Sequence, residues 1–255
     1  MGLSTHYARL FQGGPTVIPP PGIGPAVNNP LVRFCADSLP ISSDPVFAWP
    51  NIGSGGSMYD ASSVVLGVGP TRYANGPNRH AAVRFGQDGF LATASVLPIV
   101  GNSARTWVVV SQMPNNERQG AVGNRNIVGY GVNDVLYLQD VLYYGPSTIM
   151  HMYNGNVDGP PSPDNFWAVH IFTTEPVGAT GRRMFGWYNT TKGLVTNDNG
   201  YTGQSKWRIG GGYFGSYNVE SLLDLAEARA YTRVLTDAEI SVEVQELRNT
   251  YGLTS

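Results

Sequence analysis

The chain has a single helical pattern, near its C-terminal end, and this scarcity of helices constrains its fold more than any other feature. Thr236 and Glu239 have the spacing of a capping box, in which side chains satisfy the first free backbone amides of a helix. Apolar residues then recur at helical spacing, and Gly252 follows as a stop. These apolar residues are Ile240, Val244, Leu247 and Tyr251. One helix is too few for the alternating strands and helices of a parallel α/β fold.

Most of the remaining chain is predicted to form short strands joined by turns. Residues 105–110 and 167–172 are apolar on both faces, which is typical of strands at the centre of a sheet. The 32 Gly, the 18 Pro and a charged fraction of only 13% fit a chain rich in turns. Roughly ten strands at fairly regular spacing predict an all-β fold, a two-sheet antiparallel sandwich.

Three polar or glycine-rich stretches are predicted to lie outside the strands. Arg182 and Arg183, the only run that resembles a basic patch, are predicted to form a solvated hairpin tip. Residues 197–200 have the Asn-Asp-Asn-Gly composition of a turn. Residues 210–212 are three consecutive glycines and are predicted to open a loop.

The composition excludes several classes of protein. A net charge of -2 argues against a surface for nucleic acid or anionic membrane, because such surfaces cluster Lys and Arg. No segment approaches the ~20 apolar residues of a membrane helix, and no apolar signal-peptide core follows the N-terminus. Cys35 is the only cysteine, so no intrachain disulfide forms, and its apolar neighbours predict a buried side chain.

Residues 1–30 differ from the rest of the chain and are predicted to form an extended arm, with the folded domain spanning 31–255. Their Pro and Gly clusters exclude a regular helix and a central strand. A disordered tail and an arm docked on a neighbouring subunit or partner both stay open, and we favour the docked arm. Its anchoring side chains would be apolar ones: Tyr7, Leu10, Phe11, Val17 and Ile18.

Four segments, in this order along the chain, resemble the concanavalin A-like jelly-roll superfamily, specifically laminin G-like domains of bacterial and phage proteins. Residues 34–39 (FCADSL) resemble the first strand of that family, and residues 49–55 (WPNIGSG) resemble its Trp-Pro-Asp-x-Ser-Gly-x-Gly loop. Residues 81–91 resemble its Pro-Ala-Val-Arg-Phe segment, and residues 226–240 resemble its closing strand and helix start. The resemblance implies a jelly-roll sandwich and does not by itself specify a function.

Two departures from the family pattern bear on a metal site. Cys35 and Asn51 stand where relatives carry acidic residues, so any metal role of those carboxylates is in doubt in this chain. No cofactor and no metal ligand are predicted. Calcium stays an open alternative, because four Asp residues fall in predicted turns, where Asp is also expected for backbone reasons alone. These are Asp60, Asp88, Asp158 and Asp198.

No catalytic residue is predicted. Glycoside hydrolases on this fold need two facing carboxylates, and only Asp224 and Glu227 fall near the expected strand, with Leu222 at the position of the nucleophile. An odd spacing predicts that these two carboxylates lie on opposite faces of the strand. Glu227 is therefore predicted to be a structural residue paired with Arg229. The four histidines are scattered, and His170 is predicted to be a core residue.

Carbohydrate binding is a more specific hypothesis for a functional site than metal binding or catalysis. Sugars stack on exposed aromatic rings and accept hydrogen bonds from Asn. Tyr213, Phe214, Tyr217 and Asn218 follow the glycine run and fit that chemistry, as do Tyr143 and Tyr144. The alternative is that these aromatic side chains pack a loop or a subunit contact.

The sequence therefore predicts a non-catalytic structural or adhesion protein of a virion, such as a capsid decoration, fibre or tail component, with glycan binding through its loops. Its predicted location is the virion, assembled in the host cytoplasm. Its predicted partners are other virion proteins, through the arm, a cell-surface glycan and further copies of itself. A free carbohydrate-binding lectin module and a polysaccharide-degrading enzyme remain the alternatives.

Overall fold

A computed structural model describes the domain but not most of the predicted arm. The anchoring residues of the arm, from Tyr7 to Ile18, lie outside the described residues, as do Asp88 and Leu222. Side chains are not described for residues 125–127, 129, 131, 139–144, 148–152, 155–158, 194–198, 212–214 and 217–220. The described residues are 26, 28–64, 67–86, 89–112, 125–131, 139–144, 148–152, 155–158, 166–179, 181–198, 203–214, 217–220 and 223–254.

The described chain is built almost entirely from strands and ends in one helix. Short 3-10 turns occupy Ala36–Ser38, Gly56–Tyr59 and Pro77–Arg79. The strands and the helix are, in chain order, β1 (Val32–Cys35), β2 (Ala48–Trp49), β3 (Ala61–Ser63), β4 (Thr71–Tyr73), β5 (Ala82–Phe85), β6 (Leu91–Val96), β7 (Arg105–Gln112), β8 (Arg125–Gly131), β9 (Gln139–Tyr144), β10 (Thr148–Met152), β11 (Gly155–Asp158), β12 (Ala168–Val177), β13 (Gly181–Tyr188), β14 (Thr191–Asp198), β15 (Lys206–Ile209), β16 (Gly211–Phe214), β17 (Tyr217–Glu220), β18 (Leu223–Tyr231) and α1 (Asp237–Tyr251).

Two eight-stranded sheets face each other, so the predicted two-sheet sandwich is confirmed. The first sheet has the order β14-β13-β12-β7-β18-β5-β4, with β1 also paired to β18. The second sheet has the order β11-β10-β9-β8-β15-β6-β3-β2. The neighbouring strands whose register is described all run antiparallel. The two-sided apolar strands β7 and β12 lie in the interior of the first sheet, as the sequence predicts.

An aromatic cluster fills the space between the two sheets. The ring centroids of Phe34 and Trp207 are 6.1 Å apart, and those of Phe34 and Trp49 are 5.7 Å apart. Trp107 lies 6.3 Å from Trp207. All four side chains are fully buried. Because these residues come from β1, β2, β7 and β15, the cluster joins the first sheet to the second.

Helix α1 packs on the outer face of the first sheet, which is the face turned away from the aromatic cluster. Its four predicted apolar residues are buried against Val108, Val110, Val169 and Ile171. The predicted capping box is present, since Thr236 Oγ1 accepts from the Glu239 amide and Glu239 Oε2 accepts from the Thr236 amide. Gly252 ends the helix with a φ of 61°. No helix in the described part of the chain combines the length and the apolarity that crossing a membrane requires.

Each of the three stretches predicted to lie outside strands has residues that belong to a strand. Arg182 is only 1% exposed and lies within β13, so the prediction of a solvated tip is wrong for this residue. The hairpin turns earlier, at Gly178, whose positive φ of 64° suits a tight turn. Residues 197 and 198 extend β14, and residues 211–214 form β16. For these residues, cross-strand pairing outweighed the local polar or glycine-rich composition.

Candidate binding site

A β-bulge in β18 changes the expected geometry of the two carboxylates. The register of β18 against β7 shifts between Leu225 and Glu227, which leaves Ala226 as an extra residue. Ala226 and Glu227 both lie on the outer face of the first sheet, where Asp224 also lies. The prediction that the two carboxylates lie on opposite faces is wrong, because the bulge cancels the odd spacing.

Asp224 is held by an arginine on the neighbouring strand. Arg84 Nε donates to Asp224 Oδ1 at 2.7 Å, and Arg84 Nη2 donates to Asp224 Oδ2 at 2.8 Å. The guanidinium of Arg84 also lies over the ring of Tyr73, 5.2 Å from its centroid. Burial of Tyr73 and the nearby Asp224 carboxylate raise the pKa of Tyr73. Both oxygens of Asp224 are therefore engaged in a bidentate ion pair.

Glu227 is buried between two arginines, so its predicted pairing with Arg229 is confirmed. Glu227 Oε1 accepts from Arg33 Nε and from Arg229 Nε, each at 2.6 Å. Its other oxygen accepts from the Tyr251 hydroxyl at 2.7 Å. Burial raises the pKa of Glu227, but the charges of Arg229 and Arg33 outweigh burial and lower the pKa to about 2. Glu227 is thus held ionised.

The arginines extend this arrangement into a buried charge cluster beneath the helix, formed by Arg33, Glu227, Arg229, Glu243 and Glu246. Arg229 Nη1 donates to Glu243 at 2.6 Å, and Arg229 Nη2 donates to Glu246 at 2.9 Å. The other Glu243 oxygen accepts from the amide of Asn28 at 2.8 Å, and the hydroxyl of Tyr231 also donates to Glu243. The cluster therefore joins β1, β18 and α1.

Because of the buried charge cluster, the free energy of unfolding should depend on pH in the acid range. Glu227 has a pKa of about 2 in the folded chain against 4.5 as the ordinary value, so its stabilisation is complete above pH 4.5 and is lost as the pH falls towards 2. The difference corresponds to on the order of 3 kcal/mol. Urea unfolding at a series of pH values should show this decrease in the free energy of unfolding.

A control separates Glu227 from a second carboxylate. The hydrogen bond from Arg233 lowers the pKa of Glu239 to about 2 as well, although Glu239 lies at the surface. The acid decrease should persist in Glu239→Gln. A free energy of unfolding that stays constant between pH 4.5 and 2.5 in that variant would contradict the assignment to Glu227.

Asn51 organises the glycine-rich loop that follows β2. Its Oδ1 accepts from the amides of Arg33 and Gly53 at 2.7 and 2.9 Å. Its Nδ2 donates to the carbonyls of Gly56 and Leu31 at 2.9 and 3.2 Å. A side-chain carbon on Gly53 would lie 2.8 Å from the Leu31 carbonyl oxygen, so the loop needs glycine to approach β1 closely. The glycine-rich loop therefore packs closely against the first strand, β1.

Asn51→Asp should lower the free energy of unfolding by about 1–3 kcal/mol, because two carbonyls lose their donor and face a carboxylate. The measurement is urea unfolding at neutral pH. Asn102→Asp is the control, since Asn102 also donates to a backbone carbonyl, that of Gly181 at 2.9 Å, but is more exposed. An equal effect at the two positions would contradict the role given to Asn51.

The predicted glycan residues lie on a two-stranded hairpin formed by β16 and β17. The register places Tyr213 opposite Asn218 and Phe214 opposite Tyr217. Directly opposed residues share a face of a ribbon, so the four residues fall into two pairs on different faces. The hairpin begins directly after Gly210 at the end of β15. Tyr143 and Tyr144 belong to β9 in the second sheet.

A groove of about 260 Å³ lies on the outer face of the second sheet. Ser62 is paired with Ala92, and Ala92 is paired with Arg208, so small side chains lie beside a long cationic one. This groove was not predicted from the sequence. The alternation Lys-Trp-Arg in β15 is the only local signal, because the other strands meet β15 only through long-range pairing. The groove is lined by Ser62, Ser63, Val64, Phe90, Ala92, Lys206 and Arg208.

No cluster of calcium ligands is found among the described residues. Asp60 Oδ1 accepts a hydrogen bond from the backbone N–H of Asn51 at 2.8 Å, so its carboxylate stabilises the loop. Asp158 and Asp198 are strand positions. Among the side chains that the structure describes, no group of three or more His, Cys, Asp and Glu is placed to hold a metal ion.

His170, His80 and Cys35 contribute to the fold through burial or hydrogen bonding. His170 is fully buried in β12, as predicted for a core residue, with its ring 5.5 Å from that of Tyr188. His80 Nδ1 lies 2.6 Å from Asp37 Oδ2, which ties the 3-10 turn after β1 to the one before β5. Cys35 is buried, as predicted, and its burial raises the pKa of its thiol to about 12. The thiol is therefore protonated at neutral pH.

Solved structures share the fold at low sequence identity. No protein-family model matches the chain, and a search of curated proteins finds no matching sequence. Domain 4 of AbnA, a GH43 extracellular arabinanase from Geobacillus stearothermophilus solved with arabinotriose, is 12% identical with a TM-score of 0.54, over 85% of this chain and 98% of that domain.

Two further neighbours are larger proteins. A Trypanosoma rangeli sialidase is 14% identical with a TM-score of 0.59, over 95% of this chain and 36% of its own. The binding domain of botulinum neurotoxin serotype D is 10% identical with a TM-score of 0.58, over 86% of this chain and 51% of its own. These likenesses support the jelly-roll sandwich, and the laminin G-like assignment stays a prediction.

Proposed function

We propose that this chain is a non-catalytic glycan-binding domain whose site is the groove on the outer face of the second sheet. The observation that carries the proposal is the groove itself, an open concavity with hydroxyl groups, cationic groups and an apolar end. Such a mixture of an apolar wall with a few polar groups suits a small ligand. The likeness to an arabinanase domain solved with arabinotriose, matched over 98% of its length, adds support.

The state of the two carboxylates on β18 supports a non-catalytic role. A glycoside hydrolase needs one protonated carboxyl group and one carboxylate free to attack or to activate water. The general acid of such a pair has a raised pKa, whereas the pKa of Glu227 is lowered to about 2. Asp224 is bound by Arg84 through both oxygens. Neither group has the chemistry of a general acid.

The test is a glycan array followed by calorimetry on the glycans that bind. Ser62→Tyr should abolish binding, because Ser62 is exposed in the groove and the larger ring fills it. Thr191→Tyr is the matched control, since Thr191 is exposed on the first sheet. Binding unchanged in Ser62→Tyr but lost in Tyr213→Ala and Tyr217→Ala would move the site to the hairpin. A chain that binds no glycan on the array would overturn the proposal.

The enzymatic alternative has a direct assay. The purified chain is incubated with the polysaccharides that bind, and new reducing ends are counted. Non-catalytic binding predicts no release above the level of buffer. Release that disappears in Asp224→Asn or Glu227→Gln variants of retained fold would restore the hydrolase.

We place the domain in a virion as part of the same proposal, with the arm as its anchor. Asn28 and the Pro30 carbonyl contact the domain, at Glu243 and Ser54, so the truncation that tests the arm removes only residues 1–25. The truncated chain should keep its melting temperature, but it should no longer be incorporated into virions or associate with further copies of itself. Continued incorporation into virions would show that the arm is not the anchor. Glycan binding by a chain that has no virion partner would instead favour the free-lectin alternative.

A further inference from the structure

Two aromatic rings and a carboxylate surround the ammonium group of Lys192 on the outer face of the first sheet. Lys192 Nζ lies 4.2 Å from the ring centroid of Phe185 and 4.9 Å from that of Trp187. The same nitrogen donates to both carboxylate oxygens of Asp237, at 3.0 and 3.1 Å. A cation within about 6 Å of a ring centroid is attracted by the ring. The rings and the carboxylate therefore form an ammonium site, which the chain fills with its own side chain.

Three elements bring the ammonium site together. Phe185 and Trp187 are two positions apart in β13, so their rings lie on one face of the strand. Lys192 lies opposite Trp187 in β14, and the register of the two strands shifts between Phe185 and Trp187. Such bulges re-aim side chains and are frequent beside functional sites. Asp237 is the first residue of α1, so the docking of the helix brings the carboxylate to the rings.

The ammonium group of Lys192 is held weakly enough to be displaced. The side chain of Lys192 is 32% exposed, and that of Asp237 is 72% exposed. Exposed ion pairs and exposed cation–π contacts each contribute little to stability, because water and salt screen the charges. Trp187 is only 8% exposed, and its Nε1 has no hydrogen-bond acceptor among the described residues. A ligand in place of the Lys192 ammonium therefore meets two rings, a carboxylate and an unused donor.

We propose that the ammonium site binds the protonated amino group of an amino sugar, such as glucosamine, in place of the Lys192 ammonium. When Lys192 swings away, its backbone stays opposite Trp187, so only the space of the ammonium group becomes available. A lysine side chain from a partner would need room for its long stem as well. In glucosamine the amino group is attached directly to the sugar ring, so it needs no stem.

The rest of an amino sugar also fits the surroundings of the ammonium site. Its apolar C–H face can stack on the half-buried ring of Phe185, and a ring hydroxyl can accept from Trp187 Nε1. The open position of Asp237 lets one unit of a longer glycan bind while the other units stay outside. The inference goes beyond the proposed function, because the ammonium site shares no residue with the groove on the second sheet.

The experiment measures binding of the glucosamine trimer to the intact chain by calorimetry, at a mildly acid pH that keeps its amino groups protonated. Lys192→Met should strengthen binding by about tenfold, because it removes the internal competitor. In the Lys192→Met background, Asp237→Asn and Phe185→Leu should each weaken binding by about tenfold. Arg183→Met is the control, because it removes an exposed cation from the same face of β13 without opening the site. Melting temperatures confirm that each variant is folded.

The outcomes decide between an amino-sugar site and a purely structural lysine. Binding that increases in Lys192→Met but not in Arg183→Met, falls in both further variants and is absent for the uncharged N-acetylated trimer supports the inference. A trimer that does not bind the unaltered chain, equal binding of the acetylated trimer, or binding unchanged by the variants overturns it. Tighter binding of trilysine would assign the site to a basic peptide and would also overturn it. None of these variants lies in the groove, so the proposed function is tested separately.

Discussion

Replacing Glu227 with glutamine is expected to lower the free energy of unfolding by about 3–5 kcal/mol, the usual result of breaking a buried ion pair at one partner. The glutamine has the same shape but leaves Arg33 and Arg229 buried beside each other without the charge between them. Each of these arginines loses a charged hydrogen bond of 2.6 Å. Urea unfolding monitored by tryptophan fluorescence measures the loss.

Glu246→Gln is the matched control for this prediction. The same substitution in the same cluster removes a carboxylate whose side chain is 22% exposed, so water replaces part of the lost interaction. Its cost should be about 1 kcal/mol. If Glu227→Gln costs no more than an ordinary surface substitution, about 0.5 kcal/mol, the cluster does not hold the helix to the sheet.

Gly210→Ala is expected to be the second large change. Gly210 has a φ of +74°, and an added side-chain carbon would lie 1.8 Å from the ring of Phe85, which is fully buried. The left-handed backbone costs about 1–2 kcal/mol for a residue other than glycine, and forcing an atom into a packed core adds about 1–3 kcal/mol. The free energy of unfolding should therefore fall by the sum of both costs.

Gly178→Ala separates the two contributions. Gly178 has a φ of +64° with no atom within 4 Å of the added carbon, so only the backbone cost applies. The difference between the two variants measures the clash with Phe85. Equal losses at the two positions would mean that the chain between β15 and β16 moves freely away from the core, and the hairpin position described above would then be wrong.

The buried charge cluster gives a physical account of the closing segment that carried the family resemblance. Glu227, Arg229 and Tyr231 point to the helix from alternate positions of β18, and each bonds to a member of the cluster. Thr236 and Glu239 then start the helix. The segment therefore holds α1 against the first sheet. Its polar residues are explained without catalysis.

The sequence by itself determined the features that depend on near neighbours along the chain. The capping box at Thr236, the helical stop at Gly252 and the central strand β7 were all predictable, because caps, left-handed glycines and apolar periodicity act within a few residues. The pairing of Glu227 with Arg229 was predictable for the same reason, since they are two positions apart and therefore lie on one face of a strand. The number and spacing of the apolar strand patterns, together with the scarcity of helices, were sufficient to predict the two-sheet sandwich.

Only the tertiary structure decided what depends on register between distant strands. One extra residue at Ala226 brought Asp224 and Glu227 to the same face, and nothing in the local sequence marks that bulge. Arg182 became buried, against its polar character, because pairing with neighbouring strands continues past it. The groove likewise exists only because β3, β6 and β15 are adjacent, which places Ser62 and Arg208 on either side of Ala92. A strand alternates faces at every residue, so a site on a sheet is set by its register.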